Sequence, residues 1–370
     1  MRAHGAILRA SARLGRMHRL LFVPLLAALA GCADGGSSEP VPPQADPIDV
    51  LMADYDGQVP GAAVLVLRDG EPVVRRGYGL ADMDAGVPVT ASTNFRLASV
   101  SKAFTAATVL LLAEDGLVAL DDPVRKWLPS LPAAAEDVTI HHLLSHTSGL
   151  IDYEDVMPEG LDRQVRDADV LAILEGQDRL YFAPGTQYRY SNSAYALLTL
   201  IVEAATGERY ADFLRERIFV PLGMDNSVAF EDGISTVASR AYGHSLVDGA
   251  WQRTDQSPTS AVLGDGGIYS SLEDMARWDA ALYDNRLLSD DTRALAFADQ
   301  TGVAVGEDNV NAYGYGWRLD GERLWHSGET MGFRNVIIRD PAQRLTVLVL
   351  TNRNDPEPYA LARRIMDEVR

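Results

Sequence analysis

Residues 99–113 read Ser-Val-Ser-Lys-Ala-Phe-Thr-Ala-Ala-Thr-Val-Leu-Leu-Leu-Ala, a polar start followed by an apolar helical run. Side chains three positions apart share a helix face, so Ser99 and Lys102 are expected within reach of each other. A lysine desolvated in a cleft can lose its proton, whereas a guanidinium stays charged. A helix N-terminus also offers backbone N–H donors to an oxyanion. The stretch therefore predicts a serine nucleophile with a lysine base, which is the chemistry of acyl transfer.

A second pair of polar side chains opens the next helical pattern, in the sequence Tyr190-Ser191-Asn192. Alternation in an extended segment points the side chains of Tyr190 and Asn192 the same way. A tyrosine near an ammonium can act as a base toward serine and as an acid toward the leaving group. We therefore expect Tyr190 to share proton transfer with Lys102, and Asn192 to hold the substrate.

A third element, Trp325-His326-Ser327-Gly328, lies on a predicted strand near the C-terminal end. Glycine in a strand can mark a close backbone approach, so Gly328 is expected to let a substrate backbone come near. His326 could donate a hydrogen bond to a substrate carboxylate, but a histidine is only partly charged near neutral pH.

Together, Ser-x-x-Lys, Tyr-x-Asn and His-Ser-Gly resemble the three motifs of the serine β-lactamase and penicillin-binding-protein superfamily, in its class C β-lactamase-like branch. The resemblance covers about residues 48–370 and includes segments without catalytic roles, at 143–150, 221–224 and 266–270. It implies an acyl-enzyme on Ser99 and an oxyanion hole formed by the backbone N–H groups of Ser99 and Glu329. It implies no cofactor.

Several activities share this mechanism. The favoured expectations are a D,D-carboxypeptidase or D-amino-acid peptidase, or an esterase, acting on a small peptide or ester. The alternatives are a class C-type β-lactamase and a non-catalytic envelope lipoprotein that binds peptidoglycan or a partner. Because class C β-lactamases carry Lys-Thr-Gly where this chain has His326-Ser327-Gly328, a β-lactam substrate is less favoured.

Strand-like runs lie at both ends of this region, and helical patterns lie between them. A hairpin is predicted over 62–78, and four runs follow near the other end, at 315–319, 323–325, 335–338 and 345–350, before a closing helix at 359–369. The expected fold is α/β (α+β) and β-lactamase/transpeptidase-like, with an antiparallel sheet built from both termini and flanked by helices. Residues 48–95 and 312–370 would form the sheet subdomain, and 96–311 a mostly helical insertion.

The N-terminal residues have the pattern of a targeting segment. A basic stretch precedes an apolar run at 20–30, which is the length of a secretory signal and too short to span a bilayer. The run ends in Leu29-Ala30-Gly31-Cys32, which resembles a bacterial lipobox around the only cysteine of the chain. We expect a signal peptide at 1–32, lipidation of Cys32, a flexible tether at 33–47, and export to the cell envelope with a lipid anchor as the only membrane attachment. Met17 is a second candidate start of translation.

The net charge and the spacing of the histidines indicate whether the chain binds nucleic acid or a metal ion. The formal net charge of −19 repels phosphate backbones, so nucleic acid is not an expected partner. His142 and His146 are four residues apart but lack a third ligand cluster, so we interpret them as packing and hydrogen-bonding residues and expect no metal.

Overall fold

The computed structural model describes residues 45–158 and 160–370. The predicted signal peptide, Cys32 and residues 33–44 of the predicted tether lie outside the described residues. No helix within the described residues combines the length and the apolarity that crossing a bilayer requires.

Short strands and helices alternate along the described chain. The strands are β1 (Ala62–Arg68), β2 (Glu71–Tyr78), β3 (Leu80–Asp82), β4 (Val87–Pro88), β5 (Phe95–Arg96), β6 (Val228–Ala229), β7 (His244–Val247), β8 (Ala250–Arg253), β9 (Ile268–Ser270), β10 (Ala312–Tyr313), β11 (Arg318–Asp320), β12 (Arg323–Thr330), β13 (Phe333–Asp340) and β14 (Leu345–Thr351). The α-helices are α1 (Pro47–Leu51), α2 (Ser101–Glu114), α3 (Val124–Trp127), α4 (Ile140–Leu144), α5 (Asp167–Glu175), α6 (Asn192–Thr206), α7 (Tyr210–Leu214), α8 (Val220–Leu222), α9 (Leu263–Gly266), α10 (Leu272–Ala281), α11 (Asp290–Ala296) and α12 (Tyr359–Glu368).

One sheet joins the two ends of the described chain. It contains seven strands in the order β10-β11-β12-β13-β14-β1-β2, and every neighbouring pair is antiparallel. The contact that joins the two ends of the described chain pairs β1 with β14, and Ala62 lies opposite Thr351. This arrangement confirms the predicted fold class, an antiparallel sheet built from both termini with helices around it.

Both faces of the sheet are covered, which explains why β1 is apolar along nearly its whole length. Alternate β1 residues join two different cores: Ala63, Leu65 and Leu67 face the core that contains the helical region. Ala62, Val64 and Val66 face the core that contains residues of α1 and α12. The sheet is therefore the middle layer of the fold, with helices packed against each of its faces.

The run at 315–319 was expected to be a strand, and this expectation is only partly right. Residues 314–317 form a turn, and pairing resumes at Arg318 in β11. Gly316 has φ +78, and a Cβ there would lie 2.8 Å from the Lys102 carbonyl oxygen. The chain bends here because it passes directly against α2, which a continuous strand would not do.

Gly328 in β12 contacts the turn before α2. A Cβ at Gly328 would lie 2.0 Å from the carbonyl oxygen of Leu97 and 3.3 Å from the Cβ of Ala98. Protein backbone therefore fills the side-chain face of Gly328, and the approach of a substrate backbone along the edge of this strand stays a prediction. The missing side chain lets the sheet pack directly against the turn that carries Ser99.

We predict that Gly328→Ala lowers the free energy of unfolding by about 3 kcal/mol, since either β12 or the turn at Leu97 must move. Gly176→Ala is the matched control, because its φ is −82 and its nearest neighbour would be an ordinary 3.5 Å contact. That control should change stability by less than about 0.5 kcal/mol. Urea unfolding of both variants measures the difference, and equal stabilities would contradict the packing argument.

Candidate active site

Ser99 lies in a 3₁₀ turn, Ala98–Val100, that runs directly into α2. Ala98 has φ +50, a left-handed conformation that is costly for a residue with a Cβ, and it is buried. Ser99 itself is partly exposed. The surrounding packing thus holds a strained turn that presents the serine at the positive end of a helix.

Lys102 is fully buried on the first turn of α2. Its Nζ donates to Ser99 Oγ at 3.1 Å, to Asn192 Oδ1 at 2.8 Å and to the Asp265 backbone oxygen at 2.9 Å. An ammonium has three donors, so all of them are satisfied. The structure therefore brings Ser99 and Lys102 together with Asn192 and the Asp265 backbone, from three separate segments of the chain.

The Tyr190 ring lies beside this cluster. Its centroid is 4.9 Å from Lys102 Nζ and 5.2 Å from the guanidinium carbon of Arg318. The Tyr190 hydroxyl is buried and has no hydrogen-bond partner among the described residues. A phenol flanked by two cations, with its oxygen uncommitted, can exchange a proton with a reacting group.

His146 supports Tyr190 from behind. The two ring centroids are 4.3 Å apart, and His146 Nδ1 accepts the backbone N–H of Ser191 at 3.1 Å. Burial lowers the pKa of His146 well below its ordinary value, so the imidazole is neutral. His142 instead accepts the Thr139 N–H at the start of α4. Both histidines pack and hydrogen-bond, as the sequence analysis interpreted them.

His326 is buried on β12, and both ring nitrogens are used. Its Nδ1–H donates to the Ser327 carbonyl oxygen at 2.6 Å, and its Nε2 accepts from the Tyr313 hydroxyl at 3.1 Å. Burial, followed by the charges of Arg318 and Lys102, lowers the pKa of His326 well below its ordinary value. The expectation of a partly charged histidine that binds a substrate carboxylate is therefore corrected: His326 is neutral and already paired.

Arg318 brings positive charge to this side of the site. Its Nη1 donates to Ser327 Oγ at 3.2 Å, and its Nη2 lies 3.4 Å from Glu307 Oε2. Glu329 follows on β12, and its carboxylate pairs with Arg334 Nη2 at 2.7 Å. Each of these charges has an opposite charge beside it.

A small cavity of about 40 Å³ lies beside Ser99. It is lined by Arg96, Ala98, Ser99, Glu154, Asn192, Thr259, Asp265, Gly266, Glu329 and Thr330. A larger cavity of about 940 Å³ lies between α5, α6 and residues 255–263, and among the described residues its lining includes none of the predicted site residues. The chemistry is therefore assigned to the smaller cavity.

Two acidic residues of the small cavity were missed by the sequence analysis. The Tyr153 hydroxyl lies 3.2 Å from Asp265 Oδ2 and 3.3 Å from Glu154 Oε1. Burial raises the pKa of Asp265 to about 8, and desolvation raises the pKa of Glu154, with the Asp152 carboxylate adding to it. The sequence offered one signal for Asp265: this residue directly precedes the segment 266–270, which is part of the family resemblance.

The described residues contain no group of three or more His, Cys, Asp or Glu side chains that could hold a metal ion. What the site does contain is a serine hydrogen-bonded to a buried amine, a phenol ring beside that amine, and a helix N-terminus at the serine. These are the parts that nucleophilic acyl transfer requires.

The family model named Beta-lactamase matches residues 45–369. The chain belongs to this family, and with it to the serine β-lactamase and penicillin-binding-protein superfamily. It is a serine hydrolase of the β-lactamase fold.

Several individual proteins are similar to this chain over most of its length. Penicillin-binding protein 4* of Bacillus subtilis (strain 168) is 32% identical over 318 residues, which cover 81% of this chain and 69% of that protein. D-aminopeptidase of Gluconobacter oxydans (strain 621H) is 31% identical over 314 residues, covering 82% of this chain and 58% of that protein. The crystal structure of D-amino acid amidase from Ochrobactrum anthropi SV3 complexed with L-phenylalanine has a TM-score of 0.74 and 26% identity, covering 87% of this chain and 98% of that one.

We predict that Lys102→Arg lowers the rate of acylation by an activated ester about 100-fold or more, although it keeps the charge. A guanidinium does not fit three acceptors arranged around one ammonium and cannot take up a proton. Lys126→Arg is the matched control, because Lys126 is the other lysine and forms a surface pair with Asp122. Mass spectrometry of the acyl adduct gives the rate, with Ser99→Ala as the blank. Normal acylation of Lys102→Arg would disprove the role of the amine.

Proposed function

We propose that this serine hydrolase cleaves the amide bond of a D-amino acid amide, or of a peptide that begins with a D-amino acid carrying a free ammonium. The observation that carries the proposal is the carboxylate of Glu154 in the small cavity beside Ser99. The similarity to a D-aminopeptidase and a D-amino acid amidase supports the same substrate class.

The charges around the cavity favour a cationic substrate. Glu329 is neutralised by Arg334, and Arg318 by Glu307. Glu154, by contrast, receives a phenol hydrogen bond from Tyr153 but forms no ion pair among the described residues. Neutral His326 adds no positive charge. A substrate ammonium placed near Glu154 would therefore meet a carboxylate that has no ion-pair partner among the described residues, in a cavity where the charge of Lys102 also acts on Glu154 and Arg96 forms part of the lining.

The proposed reaction proceeds through an acyl-enzyme. Ser99 Oγ attacks the substrate carbonyl carbon, and its proton passes to the pair formed by Lys102 and Tyr190, which accepts it in the form that has lost one proton, as amine with phenol or as ammonium with phenolate. The pair returns a proton to the leaving amine, and water then cleaves the ester by the same route. The backbone N–H groups of Ser99 and Glu329 would stabilise the oxyanion, and the Asn192 side-chain amide would hold the substrate.

A second candidate is a D,D-carboxypeptidase that acts on peptidoglycan peptides. Its substrate ends in a carboxylate, and Arg318 beside Ser327 is the observation that favours it. That carboxylate would have to compete with Glu307 for the guanidinium. For this reason we rank it second.

A substrate panel tests the proposal. We expect the highest kcat/KM with a D-amino acid amide, and a loss of at least tenfold with its N-acetylated form or its L-enantiomer. Preference for an N-acylated peptide ending in D-Ala-D-Ala would instead support the carboxypeptidase. Turnover of only an activated short-chain ester would indicate an esterase, and rapid hydrolysis of penicillin a β-lactamase. No turnover of any of these would favour a binding-only role.

We predict that Glu154→Gln raises KM for the D-amino acid amide about tenfold, because it removes the charge that attracts the ammonium. The N-acetylated amide, which has no ammonium, should react with both forms at similar rates. Asp155→Asn is the matched control, since that carboxylate pairs with Arg189 and does not line the small cavity. An unchanged KM in Glu154→Gln would remove the assigned ammonium subsite.

We also propose that the protein is exported and held at the cell envelope by lipid on Cys32. The support is the sequence alone, namely the apolar run at 20–30 and the lipobox that ends at Cys32. In this arrangement residues 33–44 would act as a tether for the hydrolase, because Asp46 already caps α1 and pairs with Arg76.

For this anchor we predict that Cys32→Ser moves the protein from the membrane fraction to the soluble fraction of the envelope. Fractionation followed by immunoblotting measures the shift. Serine keeps the size of the side chain but cannot form the thioether. A variant that stayed with the membrane would show that something other than Cys32 holds the protein there.

A further inference from the structure

Two of the three acceptors around Lys102 lie in helices whose first N–H groups are bound by a buried aspartate from another part of the chain. Asn192, which supplies one acceptor, is the first residue of α6. Asp152 Oδ2 accepts the backbone N–H groups of Asn192 at 2.6 Å and of Ser193 at 3.3 Å. Asp152 is 8% exposed. It therefore fixes the position of the Asn192 backbone from a loop about forty residues earlier.

The other acceptor, the Asp265 carbonyl oxygen, belongs to the short helix α9. Asp167 Oδ2 accepts the N–H of Leu263 at 2.9 Å, and Asp167 Oδ1 accepts the N–H of Gly264 at 3.2 Å. Asp167 is 7% exposed. The residue before α9, Val262, provides no side-chain cap. A residue 96 positions earlier thus caps this helix.

The need for such a cap follows from the helix itself. A four-residue helix has almost no stability of its own, and glycines at 264 and 266 add conformational freedom. Its first N–H groups are buried and costly to leave without acceptors. Burial raises the pKa of Asp167 to about 6, so near neutral pH the carboxylate is ionised and accepts both bonds.

We propose that Asp152 and Asp167 are positioning residues that hold Asn192 and the Asp265 carbonyl, two of the three acceptors of Lys102, in place and thereby set the rate at which Ser99 reacts. Neither carboxylate contacts Ser99 or Lys102 by a hydrogen bond. The proposal rests on the proposed roles of Ser99 and Lys102, and it does not depend on the identity of the substrate.

A phosphonate probe that reacts covalently with active serines tests this step without a substrate. We expect Asp167→Asn in the full chain to lower the maximal labelling rate about tenfold to 100-fold, because α9 shifts and Lys102 loses alignment with Ser99. The probe concentration for half-maximal rate should stay the same, since no binding group is removed. Asparagine keeps the volume but places an N–H₂ group against a backbone N–H.

Asp274→Asn is the matched control. Asp274 is also buried and accepts the N–H of Asn226 at 2.9 Å, but it lies in α10 and makes no contact with the Lys102 cluster. It should lose a similar amount of stability while keeping the maximal labelling rate. If Asp167→Asn and Asp274→Asn label at rates within about twofold of each other, the positioning role is overturned.

Combining the two aspartates gives an independent check. If both act through Lys102, Asp152→Asn with Asp167→Asn should label about as slowly as the slower single variant. Effects that multiply would show separate routes and contradict the proposal. Should Asp167→Asn fail to accumulate, Asp152→Asn against Asp274→Asn provides the same comparison. Failure of the wild type to label would overturn the proposed role of Ser99 itself, which is a different result from labelling at equal rates.

Discussion

The site depends on one buried ammonium. A charge removed from water is strongly unfavourable unless its donors are satisfied, and Lys102 meets this condition with three acceptors. The acceptors come from the turn before α2, from α6 and from α9, which are far apart in the sequence. The same interaction that makes the lysine tolerable in the core therefore also assembles the helical half of the active site.

The sheet is tied to this cluster by close packing and by a buried amide. Gly328 allows β12 to lie against the Leu97 carbonyl. On the neighbouring strand β13, Asn335 Nδ2 donates to the Arg96 carbonyl oxygen at 2.8 Å, and its Oδ1 accepts the N–H of Thr351 at 3.1 Å. The strands thus fix the chain just before Ser99, so the serine is positioned by the sheet and its partner lysine by the helices.

The parts of the site that were predicted correctly from the sequence depend on residues close together in the chain. Ser99 and Lys102 are three residues apart across the 3₁₀ turn and the first turn of α2, and the structure places them in contact as the i, i+3 spacing predicts. The ionisation of His326 and the neighbour of Gly328 depend on packing across the molecule, which local sequence does not reveal. Asp167 was missed for the same reason, since its partners lie 96 and 97 residues away.

The charge pairs around the cavity limit what can bind there. A substrate carboxylate near Ser327 gains a contact with Arg318 only by weakening the pair of that guanidinium with Glu307. An ammonium near Glu154 breaks no ion pair among residues 45–158 and 160–370, and it would share the carboxylate with the side chains of Tyr153 and Asn192. Both ligands lose hydration when they enter the cavity. Their binding free energies therefore differ mainly through the protein contacts that each ligand displaces. That difference favours the amine.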